Sequence, residues 1–174
     1  MLTQLGRYQI VRQIGQGAMG AVWLARDPLM GREVAIKSIL NASSVGGEAR
    51  VRFEREAKAA GALNHPNVVT IHEFGEDQGQ MFLVMEYIKG EDLEALIKSR
   101  GLSKPEALEI LAQVCDALAE AHAQGIIHRD IKPANVRVFR EGNRVNAKVM
   151  DFGVASLANS DLTSDGTWMG TLSY

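Results

Sequence analysis

One cysteine, Cys115, is present in 174 residues, so no internal disulfide can staple the fold. A lone thiol suits a reducing compartment and is expected to be a small core residue. Long apolar runs are missing too. The longest, such as MFLVM at 81–85, fall far short of the ~20 residues that a membrane helix needs, and Met1 to Ile10 lacks a signal-peptide core. Neither sign of charge dominates. Lys and Arg number 19 against 21 Asp and Glu, a formal net charge of -2, which implies no global attraction to nucleic acid or to an anionic membrane. Internal repeats and low-complexity stretches are absent as well. A cytoplasmic protein without a membrane segment in these residues is the expectation, and an anchor beyond residue 174 is compatible with it.

What is there is ordinary globular material. With 46% hydrophobic and 23% charged residues, the chain can bury one sizeable core or two small ones. Its useful division is by period. YQIVRQIG (8–15), GAVWLARD (20–27) and REVAIKSIL (32–40) are rich in β-branched and aromatic residues, and the turn-like GQGAMG and DPLMG separate them. GEARVRFEREAKAAGALNHP then changes to a helical period, with Phe53, Ala57, Ala60 and Leu63 on one face. NVVTIHEFGE and QMFLVMEYI follow as two more strands. Residues 1–88 are therefore predicted to form one lobe, a five-stranded antiparallel sheet with one helix. Residues 89–174 form a second, mainly helical lobe. Its long helix is announced by Ser103, Pro105 and Glu106, a capping box with proline in the first turn. Leu108, Leu111, Cys115, Leu118 and His122 make its apolar stripe, and Gly125 stops it. VRVF and AKVM are two short strands beyond. The fold class is α+β.

Several short motifs carry chemistry. Gly15, Gly17 and Gly20 form G-x-G-x-x-G, which in dinucleotide folds opens a helix. Here a strand-like AVWLARD follows, so the glycines belong to a hairpin whose backbone can lie over phosphates. Lys37 in VAIK reads alone as a solvated lysine, yet strand alternation puts it on the face of Ala35. An inward lysine needs an anion, and Glu56, on the apolar stripe of the first helix, is the partner expected. HRDIKPAN packs His128, Arg129, Asp130, Lys132 and Asn135 into a short, proline-stiffened loop. It offers a carboxylate to accept a hydroxyl proton, a cation for a transferring phosphate and an amide oxygen for a metal. VMDFG places Asp151 at the end of an apolar strand, as a second metal ligand.

In this order the motifs are G-x-G-x-x-G-x-V, VAIK, a helix glutamate, HRD-x-K-x-x-N and DFG. The chain resembles a bacterial, eukaryotic-like serine/threonine protein kinase over essentially all of its length. The resemblance implies a two-lobe kinase fold, ATP with magnesium or manganese as cofactors, and protein substrates with serine or threonine acceptors. Gly15, Gly17 and Gly20 would then cover the phosphates, Lys37 would hold them with Glu56, Asp130 would be the base with Lys132 beside it, and Asn135 and Asp151 would hold the metal. Ile14, Val22 and Ala35 would wall the adenine pocket, with Met85 at its back and the backbones of Glu86 and Ile88 at its edge. Thr163, Ser164 and Thr167 become candidate phosphosites, facing arginines that include Arg50, Arg52, Arg55 and Arg129, and Thr171 supports the acceptor site. Arg137 departs from the pattern. It stands where the family places an aliphatic residue under the adenine, and its stem is expected to pack there with the guanidinium turned outward.

The other departure is the ending, GTLSY, after which the family continues into further helices. The stripe of Leu108, Leu111, Cys115 and Leu118 is expected to lose part of its cover, leaving a chain that is poorly stable or self-associating. An inactive fragment that binds nucleotide or a partner is the alternative to an active kinase. A small-molecule phosphotransferase is disfavoured by the complete HRD-x-K-x-x-N.

Overall fold

The computed structural model describes residues 2–17, 20–38 and 47–152, apart from some side chains, Phe53 and Glu56 among them. The chain divides into two compact units. One comprises Met1–Gly61 with Thr70–Tyr87, the other Ala62–Val69 with Ile88–Tyr174.

The strand-forming residues of the first unit become β1 (Gln4–Leu5), β2 (Tyr8–Gly17), β3 (Gly20–Asp27), β4 (Arg32–Ser38), β5 (Ile71–Asp77) and β6 (Gln80–Glu86), with α1 (Gly47–Ala62) between β4 and β5. They build one sheet in the order β1-β2-β3-β4-β6-β5, antiparallel throughout. The five long strands are those read from sequence; the two-residue β1 adds an edge that is too short to show a period. Inner strands β4 and β6 read as continuous apolar runs because both of their faces are covered, and Val34–Ser38 and Met81–Met85 are buried without a break. Tyr8, Val34, Ile36, Phe82 and Val84 form the centre of the core.

Although β1 and β5 lie at opposite ends of the strand order, polar contacts join β5 to the turn after β1 and to the first residue of β2. The Gly6 N–H donates to Asp77 Oδ2 at 2.8 Å, and the Tyr8 hydroxyl to Glu73 Oε2 at 2.7 Å. Arg7 pairs with Glu73 at 2.6 Å. The sheet therefore curls on itself around Phe82. A Cβ on Gly75 would lie 2.4 Å from Phe82 Cζ, and one on Gly6 3.0 Å from the same atom, so glycine at both places lets the ring fill the seam.

The second unit contains β7 (Glu91–Asp92), α2 (Leu93–Lys98), α3 (Lys104–Ala123), a 3-10 turn (Pro133–Asn135), β8 (Val136–Glu141) and β9 (Arg144–Val149), with the strands in the order β7-β8-β9. The expected capping box starts α3. Ser103 Oγ accepts from the Glu106 N–H, and Glu106 Oε2 accepts from the Ser103 N–H at 2.8 Å. Ile110, Val114, Ala117 and Ala121 are the buried positions of this helix, which packs on β9. On the same helix Gln113 bonds to the backbone of β9, donating to Val145 O at 2.9 Å and accepting from the Ala147 N–H at 2.7 Å. Asn67 donates to Gln113 Oε1 and to Ala147 O, both at 2.8 Å, and Val68 pairs in parallel with Val149. An edge of β9 that would otherwise carry orphan amides is thus covered.

The stripe read from sequence is expected to lose part of its cover, and Leu108 and Leu111 are 68% and 55% exposed. One expectation about α3 needs correction. Cys115 is exposed and not a core residue, because it lies one residue, or ~100°, round the helix from buried Val114.

Gly75→Ala should lower the free energy of unfolding by about 1–3 kcal/mol, because the buried Phe82 ring has no room to retreat; urea denaturation measures this. A second expectation concerns acid. Hydrogen bonds from the Ser103 backbone and hydroxyl, and then Arg140, hold the Glu106 carboxyl down to about 2. A depressed carboxyl contributes stability that is full above its unfolded pKa of about 4.3 and is lost as pH falls toward 2. The stability difference between the parent and Glu106→Gln should therefore be constant from pH 7 to 5 and shrink from there to pH 2, as read from denaturation midpoints.

Candidate active site

Gly125, at φ 73°, ends α3 and turns the chain into HRDIKPAN. His128 is then 2% exposed. Its Nδ1 accepts from the Asp130 N–H at 3.3 Å, so the ring proton sits on Nε2, which donates to Met150 O at 2.7 Å. The ring also meets Phe152 edge to face at 4.8 Å. Burial pushes the His128 pKa down, against the pull of the Met150 carbonyl and of Asp151 and Asp130. The neutral ring is also the form that both hydrogen bonds require.

Around Asp130 the loop closes on itself. Lys132 Nζ lies 2.7 Å from Asp130 Oδ2. Asn135 Nδ2 donates to the Asp130 carbonyl at 2.8 Å and to its carboxylate at 3.1 Å. Both of those oxygens are acceptors, so the amide nitrogen must face them. Asn135 Oδ1 is thereby turned away from Asp130. The Met150 N–H donates to the Asn135 carbonyl at 2.9 Å, which brings the end of β9, and so Asp151, beside the 3-10 turn. Arg129 and Asp151 both have positive φ, 66° and 59°, a conformation that costs a non-glycine residue roughly 1–2 kcal/mol. Hydrogen bonds of His128 and Asp130 flank Arg129, and those of Met150, with the Phe152 ring contact, flank Asp151.

In the first unit, β2 and β3 form the expected hairpin. Gly15 pairs with Val22 and Gly17 with Gly20, and no helix follows the glycines, which excludes the dinucleotide arrangement. Gly20 has φ 147°, which only glycine adopts readily. Val22 is in turn opposite Lys37, and Ala35 opposite Met85, so the hairpin, the lysine, Ala35 and Met85 occupy adjoining strands. Lys37 is 9% exposed, Ala35 4% and Met85 2%, while Ile14 and Val22 are half-buried. Glu86 donates its N–H to Thr70 O, and its carboxylate accepts from the Thr70 N–H at 2.7 Å. Ile88 is buried in the second unit. The pairing of Lys37 with Glu56 lies outside the described residues, as do Thr163, Ser164, Thr167 and Thr171.

Sequence reasoning assigned no job to His128, whose position before a charged loop was its only signal. The partner of Arg137 was also missed: Nη1 reaches Asp92 Oδ1 at 2.7 Å.

No ligand set of three or more His, Cys, Asp or Glu occurs among the described residues. A magnesium ion needs less, because it keeps several waters and takes one or two carboxylates. Asn135 Oδ1 and the Asp151 carboxylate are hard oxygen donors of the kind it takes.

Residues 8–174 match the protein kinase domain model. The serine/threonine-protein kinase PrkC of Bacillus subtilis is 43% identical over 171 residues, which cover 97% of this chain and 26% of that protein. PknE of Mycobacterium tuberculosis is 42% identical, covering 99% of this chain and 30% of its own length. The chain thus spans less than a third of these two relatives. Among solved structures, the kinase domain of M. tuberculosis PknI superposes with a TM-score of 0.76 at 34% identity, over 90% of this chain and 64% of that one. The sequence, the motif order and the structure agree, and the chain belongs to the protein kinase domain family.

Proposed function

We propose that the chain carries the catalytic machinery of an ATP-dependent serine/threonine protein kinase, which transfers the γ-phosphoryl group to hydroxyls of protein substrates. The observation that carries this reading is the Asp130 carboxylate, held by Lys132 and Asn135 in a loop that His128 ties to the backbone before Asp151. A carboxylate so held accepts the proton of a serine or threonine hydroxyl as it attacks. Lys132 lies where its charge stabilises the transferring phosphoryl group. Lys37 binds the α- and β-phosphates with Glu56 as partner, and the hairpin of Gly15, Gly17 and Gly20 excludes water above them.

Ile14, Val22, Ala35 and Met85 line the base, with backbone groups of Glu86 and Ile88 at its edge. The Glu86 N–H is already committed to the Thr70 carbonyl. Asn135 and Asp151 hold magnesium or manganese, which when bound neutralises charge on the phosphates. Lys132 within HRDIKPAN supports serine or threonine as the acceptor. Thr163, Ser164 and Thr167 are proposed as phosphosites. In this reading the first unit is the kinase N-lobe and the second belongs to the C-lobe. No helix among the described residues is long and apolar enough to cross a membrane, and the single cysteine supports a cytoplasmic location. Exposed Leu108 and Leu111 support self-association at high concentration.

Incubation with labelled ATP, magnesium and a generic basic protein should give incorporation that Asp130→Asn reduces by 10³-fold or more, with ATP binding retained. Binding without incorporation at any enzyme concentration would sink the kinase reading in favour of a nucleotide-binding role. Lys37→Met should likewise remove transfer while leaving the unfolding midpoint within a few degrees of the parent. Unfolding of that variant where the parent is folded would instead make Lys37 structural.

A further inference from the structure

Gly15, Gly17 and Gly20 bring no side chains to the hairpin they belong to, so packing at these positions does little to hold it. The hold has to come from its root. On β3 that root is Gly20 and Ala21, which pair with Gly17 and Gln16 of β2. The register of β3 with β4 runs from Asp27–Arg32 as far as Val22–Lys37. Ser38 carries the connection one residue further. Its Oγ donates to the Ala21 carbonyl at 3.1 Å and accepts from Trp23 Nε1 at 3.3 Å.

The chemistry of the three groups sets the direction of this relay. An indole N–H can only donate, so the Ser38 oxygen receives it and the hydroxyl proton is left to turn to Ala21. Each of the two bonds polarises the other. Ser38 and Ala21 are both 7% exposed, and a polar group so buried needs its partner. Alternation along β4 sets Ser38 on the face of Ile36, opposite to that of Lys37. Trp23 is directly across from Ile36, and its long side chain reaches Ser38 along the diagonal. The hydroxyl is thus committed to the hairpin root and does not compete with Lys37 for an anion.

We infer that Ser38 is a positioning residue for the proposed phosphate site: it pins the root of the glycine hairpin to the strand that carries Lys37, so that hairpin backbone and ammonium keep one spacing for a polyphosphate. This rests on the nucleotide reading, and all the residues it uses belong to the first unit. Val22, one residue closer to the sheet, is held by the β3–β4 ladder itself. Loss of the pin therefore loosens what covers phosphates more than what lines a base.

The test uses the full chain, with amide hydrogen exchange read without ligand and dissociation constants read for adenosine and for ATP with magnesium. Ser38→Ala should speed exchange at Gly20 and Ala21 about tenfold and leave β5 unchanged, because the ladder that holds β5 is intact. It should weaken ATP binding about tenfold and adenosine binding less than twofold. Trp23→Phe keeps the ring and removes the donor, so the same selective loss should appear at about threefold for ATP. If Ser38→Ala does not fold, Trp23→Phe decides the question by the same comparison. Equal losses for the two ligands, or faster exchange in β5 as well, would overturn the inference, because the relay would then support the whole sheet; so would unchanged exchange at the hairpin root. A parent chain that binds neither ligand defeats the nucleotide reading itself, and the exchange rates then still decide whether Ser38 pins the hairpin.

Discussion

Everything proposed for the catalytic loop hangs on one buried imidazole. His128 has one acceptor and one donor to offer in its neutral form, and the structure uses both, the acceptor for the Asp130 amide and the donor for the Met150 carbonyl. Protonation would place a second N–H against the Asp130 N–H, and burial opposes it further. The ring therefore fixes the backbone before the proposed base to the backbone before a proposed metal ligand. Left-handed φ values at Arg129 and Asp151 become affordable because the neighbouring residues are bonded in this way. The Met150 amide, bound to the Asn135 carbonyl, makes the second tie across the same junction.

The first unit solves a different problem, that of a sheet with two open edges. It does so by bending until Arg7 and Tyr8 meet Glu73, with Phe82 in the space that two glycines leave. The glycine hairpin and Lys37 are carried on the strands of that curled sheet, so their spacing is set by β-pairing and not by loop conformation.

Much of this was legible in the sequence. The five long strands announce themselves by β-branched composition, and α3 by Ser103 and Glu106. The site motifs are legible because each demands rare residue types at fixed spacing. What stayed hidden did so for physical reasons. β1 and β7 are two residues long, too short for any period. Helix α3 is apolar on more than one side, and periodicity alone does not say which side meets β9. The packed side carries Ala117 and Ala121, whose small size permits close approach, while the larger Leu108 and Leu111 drew attention elsewhere. Arg137 was noticed as out of place, but its partner is 45 positions away, and no local pattern joins them.

Ala62–Val69 lies early in the chain and belongs to the later unit. Asn67 and the Ala147 carbonyl that it binds are separated by 80 positions. During synthesis, residues 62–69 leave the ribosome long before β9 exists, while all of the first unit's sequence is available by Tyr87. The first unit's sheet can close while the chain is still growing. Residues 62–69 must wait, tethered at both ends to that finished sheet, until α3 and β9 arrive. With residues 70–87 already folded, the loop that brings β9 to residues 62–69 is shorter in effect than their separation in sequence.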